Sequence, residues 1–133
     1  MKKALLIISI VFSFVLIIQC DSNKKALHKK LAKEALNLNE SAPVILNNFT
    51  RFDSATVTDD NVFQYNYTIL NTHDPDSLIR VVESSLIENI RLKFNTNPQL
   101  LFFKENNVSI EYVYNDENRK VIRRIQIDSS NYK

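Results

Sequence analysis

Glycine is absent from all 133 residues, where ordinary usage would place about nine. Phosphate-cradling loops, the dinucleotide fingerprint and the Gly-x-Ser-x-Gly elbow all need residues that accept positive φ or let backbone approach a ligand. None of these can be present, and turns fall to Asn and Asp, which tolerate left-handed backbone. Cysteine occurs once, at Cys20. No disulfide can form within the domain, so stability must come from packing. Strong charge of one sign is lacking too. Setting aside Lys2 and Lys3, which sit in the N-terminal segment, 15 basic residues face 15 acidic ones. Such a balance argues against a nucleic-acid partner, which calls for a clustered positive surface to neutralise phosphates.

What is present begins with an address. Lys2 and Lys3 lead an apolar run from Ala4 to Ile18, followed by Gln19, Cys20 and a polar segment from Asp21. A run of about 15 residues is short for a bilayer core that needs roughly 20, so residues 1–19 read as a cleaved signal peptide. Leu16-Ile17-Ile18-Gln19-Cys20 resembles the lipobox of bacterial lipoproteins, with Gln19 where that pattern has a small residue. The resemblance implies that Cys20 is the first mature residue, diacylated on sulfur, and that lipid holds the protein on a membrane. An ordinary secretory signal cut just after Cys20 or Ser22 is the alternative. Residues 20–133 are the right length for a single domain.

Within that domain Leu27, Leu31, Ala35 and Leu38 recur at helical spacing over residues 23–39. Lys24, Lys25, Lys29, Lys30 and Lys33 lie off the stripe, either as a basic collar facing anionic head groups or as a solvated helix face. Pro43 interrupts, and Val44, Ile45 and Leu46 read as another apolar turn. Strands are expected at residues 50–58 and 62–70, the second with Phe63, Tyr65, Tyr67 and Ile69 alternating with polar residues. Asp74 and Pro75 start a helix as N-cap and first position, with Ile79, Val82, Leu86 and Ile90 on one side. A short extra turn at residues 98–104 precedes strands at 108–115 and 120–128. Arg123 falls among the inward positions of the last strand, where a bulge or the sheet edge must accommodate it. The order helix-strand-strand-helix-strand-strand predicts an α+β fold, one antiparallel sheet of about four strands with helices packed on one face.

Chemistry has few carriers. His73, Asp74 and Asp76 form a His–carboxylate cluster too small for a metal site without ligands from elsewhere, and Asp74 is already needed as a cap. Asp59, Asp60, Asp116 and Glu117 read as hairpin tips. Tyr65, Tyr67, Tyr112 and Tyr114 read as core, with hydroxyls reaching its rim. No nucleophile with a base is visible, so neither a catalytic residue, a cofactor nor a metal is expected. On the outer sheet face Gln64, Asn66, Glu111, Arg124 and Gln126 stand in rows, either simply wet or an interaction face.

Thr50-Arg51-Phe52-Asp53, Tyr65-Asn66-Tyr67-Thr68, Thr96-Asn97-Pro98 and Tyr112-Val113-Tyr114 resemble motifs of small, mostly uncharacterised bacterial envelope proteins. The resemblance spans about residues 30–132 and implies the fold and an envelope location; it brings no activity. The expected function is that of a non-catalytic, lipid-anchored envelope domain that binds an envelope protein or supports an assembly. The alternative is a secreted domain holding a small apolar ligand between helix and sheet.

Overall fold

The apolar stripe Leu27, Leu31, Ala35 and Leu38 forms the inner side of α1 (residues 22–39). This computed structural model describes residues 22–131, apart from the side chains of Val82, Gln99 and Ser129. Residues 1–19, expected as a signal peptide, and Cys20 lie outside the described residues. After α1 come β1 (Val44–Asn47), β2 (Thr50–Val57), β3 (Phe63–Ile69), α2 (Pro75–Thr96), α3 (Pro98–Glu105), β4 (Ile110–Asn115) and β5 (Val121–Ile127), then a 3-10 turn at Ser129–Asn131. The sheet order is β1-β2-β3-β4-β5.

Three expectations need correction. The apolar turn expected at Val44, Ile45 and Leu46 is a fifth strand, β1, paired antiparallel with β2 through Val44↔Phe52 and Ile45↔Arg51. Pro43 cannot donate a helical hydrogen bond, and the β-branched pair behind it favours extended backbone. Phe49 N–H donates to Asn47 Oδ1 at 2.8 Å, closing the turn into β2. The sheet is also not wholly antiparallel, because β3 and β4 run parallel. Two helices stand between them, and a connection of that length carries the chain back to the starting end, which a short hairpin cannot do. The short turn expected after Pro98 is the eight-residue α3.

With no glycine available, the left-handed positions are held by Asn61, Asn71, Asn107 and Arg119, at φ between 53 and 66°. Asn is the residue that tolerates this region best after glycine. Asn39, at the end of α1, acts as a substitute strand. Its amide oxygen accepts from Ala55 N–H at 2.7 Å and its Nδ2 donates to Ala55 O at 2.9 Å. These backbone groups lie beyond the reach of β1, and a buried pair left open would be costly.

The main core joins Leu31, Phe52, Phe63, Ile90, Phe94, Phe103 and Ile110 beneath the helices, and a second cluster gathers Ile69, Ile79, Tyr114 and Ile125. Leu86, Tyr67 and Tyr112 touch both.

α2 begins as expected, with Asp74 Oδ1 accepting from Ser77 N–H at 3.1 Å and Pro75 in the first turn. Arg123 does point inward, beside a register shift in β4–β5. It is accommodated by carboxylates of α2, donating to Asp76 Oδ1 at 3.0 Å and to Glu83 Oε2 at 3.2 Å. Arg80 also pairs with Asp76. Hydrogen bonds from Arg80 and then Arg123 hold the Asp76 carboxyl below its ordinary range. A depressed carboxyl contributes stability that is present above its unfolded value, about 4, and is lost as pH falls through the lower folded value. Asp76→Asn should therefore lower the urea midpoint at pH 7, and the gap to the parent protein should close on acidification below about pH 4. Parallel pH profiles for the two proteins would show that Asp76 does not carry this linkage.

Candidate functional site

Parallel pairing of β3 with β4 sets Tyr65 against Tyr112 and Tyr67 against Tyr114. The facing rings stack, with centroids 5.3 and 5.4 Å apart and planes 18 and 21° apart, and Tyr67 also stacks on Tyr112 at 6.2 Å. Burial raises all four hydroxyls' pKa values. Tyr67 is pushed up to about 12, and Tyr65, Tyr112 and Tyr114 go higher. They are neutral at any physiological pH, each able to donate and accept. None of the four hydroxyls makes a hydrogen bond among the described residues, yet the only buried, unpartnered side-chain polar atom there is Arg123 Nε. The hydroxyl oxygens therefore reach accessible space.

That space is a cleft of about 710 Å³ over the tyrosine rows. Its long wall is α2, through Leu78, Ile79, Leu86 and Ile90, with Ser85, Asn89 and Lys93 among its lining residues. Opposite stand Leu46 and Asn47 of β1, Phe49 and Thr50, while Ile69, Asn97 and Leu100 complete the lining. The gap follows from where the helices are fixed. Leu31 and Ala35 of α1 pack with Phe52, Ala55 and Phe63, whereas Arg123 draws α2 toward β5. Tyr65 and Tyr67 lie between. Leu46 and Phe49 are 54 and 45% exposed, so this apolar wall opens onto the surface. Sequence reasoning missed this wall; its signal was an apolar run placed immediately after a proline and before the Asn47-Asn48 turn.

The outer-face residues singled out from sequence do share one surface, and most are engaged with one another. Thr56 Oγ1 donates to Gln64 Oε1 at 3.1 Å, Gln64 Nε2 donates to Glu111, and Arg124 Nη1 donates to Glu111 Oε2 at 2.9 Å. Asn66 reaches Thr56 Oγ1 at 3.3 Å, and Gln126 donates to Asp128 at 2.9 Å. Thr68, two residues beyond Asn66 on the same face of β3, is only 3% exposed and donates to Asp53 Oδ2 at 2.6 Å. A partner on this face would have to compete with bonds already made.

The other clusters have local work. His73 is exposed, and Asp74 is the cap of α2, its carboxyl held low by the hydrogen bond to Ser77. Asp116 Oδ1 accepts from the backbone of Asn118 and Lys120, and Glu117 accepts from Asn71 N–H at 3.1 Å. Among the described residues, no group of three or more His, Cys, Asp or Glu is placed to hold a metal ion, and no helix is long and apolar enough to cross a membrane.

A mostly antiparallel five-stranded sheet with helices packed against it and an open aromatic cleft makes this a small α+β domain. The chain belongs to a domain family of unknown function, DUF8479, whose profile matches residues 26–132. No curated protein matches it. Its fold is shared with solved structures at low identity. A Pseudomonas aeruginosa protein described as secreted is 14% identical, with a TM-score of 0.71 over 83% of this chain and 96% of that one. The type 2 secretion system pilotin EpsS of Vibrio vulnificus is 9% identical, with a TM-score of 0.65 over 85% of this chain and 97% of its own. The type II pilotin AspS of Vibrio cholerae is 10% identical, with a TM-score of 0.58 over 84 and 97%.

Proposed function

We propose that this protein is a non-catalytic, lipid-anchored component of the bacterial cell envelope that supports an assembly by binding a segment of another envelope protein in its tyrosine-floored cleft. The observation that carries the reading is the cleft itself, which combines an apolar wall with tyrosine hydroxyls that have no partner among the described residues. An occupant needs apolar side chains for Leu46, Phe49, Leu86 and Ile90, hydrogen-bonding groups for the tyrosines, and a negative group for Lys93, the one charged side chain of the lining. A polypeptide segment carries all three along its length. The sharing of this fold by pilotins of type II secretion systems supports the same reading.

A small apolar ligand is the second reading, favoured by a cleft volume within the usual range of such sites, roughly 300–1,000 Å³. The outer face with Gln64, Asn66, Glu111, Arg124 and Gln126 is the other surface available to a protein partner.

A photocrosslinking amino acid in place of Asn89, at the cleft, and separately in place of Gln126, on the outer face, separates these readings in the native envelope. The expected result is one discrete protein adduct from position 89 and none from 126. An adduct from 126 alone would move docking to the outer face, and a small molecule retained in the native mass with no adduct would favour the ligand reading. The same preparation should yield an intact mass beginning at acylated Cys20; an unmodified N-terminus would remove the anchor.

A further inference from the structure

α1 has a second face that neither the core nor the cleft uses. Lys25, Lys29 and Lys33 follow at four-residue intervals and so form a row along the helix, about 12 Å from first to last. Lys24 and His28 flank the row, and all four lysines are exposed. Lys30 does not belong to it, since its ammonium lies over the Phe102 ring at 5.8 Å. Ala32, small among long neighbours, leaves a hollow of about 580 Å³ between α1 and the β2–β3 turn, lined by Lys24, Lys25, His28, Lys29, Asp59 and Asn61.

The hollow is held in shape. His28 Nδ1 and Asn61 Oδ1 are 2.9 Å apart, and Asn61 Nδ2 donates to Lys24 O at 3.2 Å. Among the described residues, Asp59 lines the hollow, and Asp60 pairs with Lys24 at 3.4 Å across exposed side chains. Lys29 and Lys33, both exposed, give the face its positive charge. Leu36, 67% exposed and one turn beyond Ala32, gives the same side an apolar end.

Residue 22, where α1 begins, is two residues from Cys20, a span of about 7 Å at most. We propose that this face of α1 lies on an anionic phospholipid surface, with the lysine row and the hollow receiving lipid phosphates. The inference rests on the anchored reading for proximity, because an acylated Cys20 would hold the start of α1 at the head-group layer. Lysines beside an anionic bilayer are attracted within a Debye length, and salt removes the attraction. The acyl chains then supply retention, and the lysine face sets how the domain lies.

The test uses the full-length protein purified from its envelope, with vesicles of phosphatidylcholine alone or with about one-third phosphatidylglycerol. Flotation reports binding, and amine acetylation read by mass spectrometry reports protection of each lysine. Lys29 and Lys33 should be acetylated several-fold more slowly on anionic than on neutral vesicles, while Lys120, in the β4–β5 turn, is unchanged; high salt should erase the difference. Equal acetylation of Lys29 and Lys33 on both vesicles overturns the proposal. Lys29→Glu with Lys33→Glu, both at exposed positions, should abolish the anionic protection at Lys24; persistence of that protection also overturns it. Failure of the anchor reads differently. A protein lacking acyl chains would leave neutral vesicles yet still float with anionic ones in a salt-sensitive way, whereas flotation with neither overturns both readings.

Discussion

Phe63→Ala should lower the unfolding free energy by about 3–5 kcal/mol, seen as a large drop in urea midpoint with little change in slope. Phe63 is fully buried, its ring 5.1 Å from that of Tyr65 on the same strand and 4.9 Å from that of Phe103 on α3. Removing the ring forfeits its transfer from water and leaves a void that β3, paired on both sides, cannot collapse to fill. With no disulfide to limit the unfolded chain, a domain of this size has about 5–15 kcal/mol in all. The variant is expected near the edge of folding at 37 °C. Should it fail to accumulate, Phe63→Leu leaves a smaller void and a smaller deficit in the same direction. A midpoint equal to the parent's for both variants would show that the core is not centred here.

Much of this fold was legible because its signals are local and periodic. The alternation through Phe63, Tyr65, Tyr67 and Ile69 gives β3, and Asp74-Pro75 gives the start of α2. The absence of glycine leads to Asn at three of the four left-handed positions. Strand direction was not legible, since alternation is the same for parallel and antiparallel pairing and only the path of α2 and α3 distinguishes them. β1 was lost for a related reason. Val44-Ile45-Leu46 is too short to show either period, and its pairing depends on β2 lying alongside.

The cleft was half legible. Its ingredients, the tyrosines and the apolar stripe of α2, were read as core, with a pocket between helix and sheet as the alternative. They separate because Arg123 finds its carboxylates on α2, an arrangement set by residues 40 and 47 positions away in sequence. Leu86 illustrates the result. It lies on the stripe as expected, yet it is only half buried and faces the cleft as well as both core clusters. Its truncation should therefore affect the occupant of the cleft as well as stability.

Leu46→Glu combined with Phe49→Glu should abolish the adduct formed from position 89 while leaving the fold intact. Both side chains are about half exposed on the wall opposite α2, so their replacement costs the monomer little, within roughly 0.5 kcal/mol for surface positions. The backbone of the turn is held independently of them, through Phe49 N–H to Asn47 Oδ1 at 2.8 Å and Leu70 N–H to Phe49 O at 2.9 Å. In a complex the same positions face an apolar segment, and a carboxylate forced against it must be desolvated without a partner. Losing two apolar anchors in this way should weaken binding at least tenfold, the equivalent of about 1.4 kcal/mol or more. The measurement is adduct yield from position 89 alongside the urea midpoint of the same variant. A full yield with an unchanged midpoint would show that the occupant does not touch this wall, and docking would then have to be sought on the polar face across the sheet. Loss of the adduct with an unchanged midpoint assigns the wall of β1 to the partner, and gives this exposed apolar edge a reason to exist.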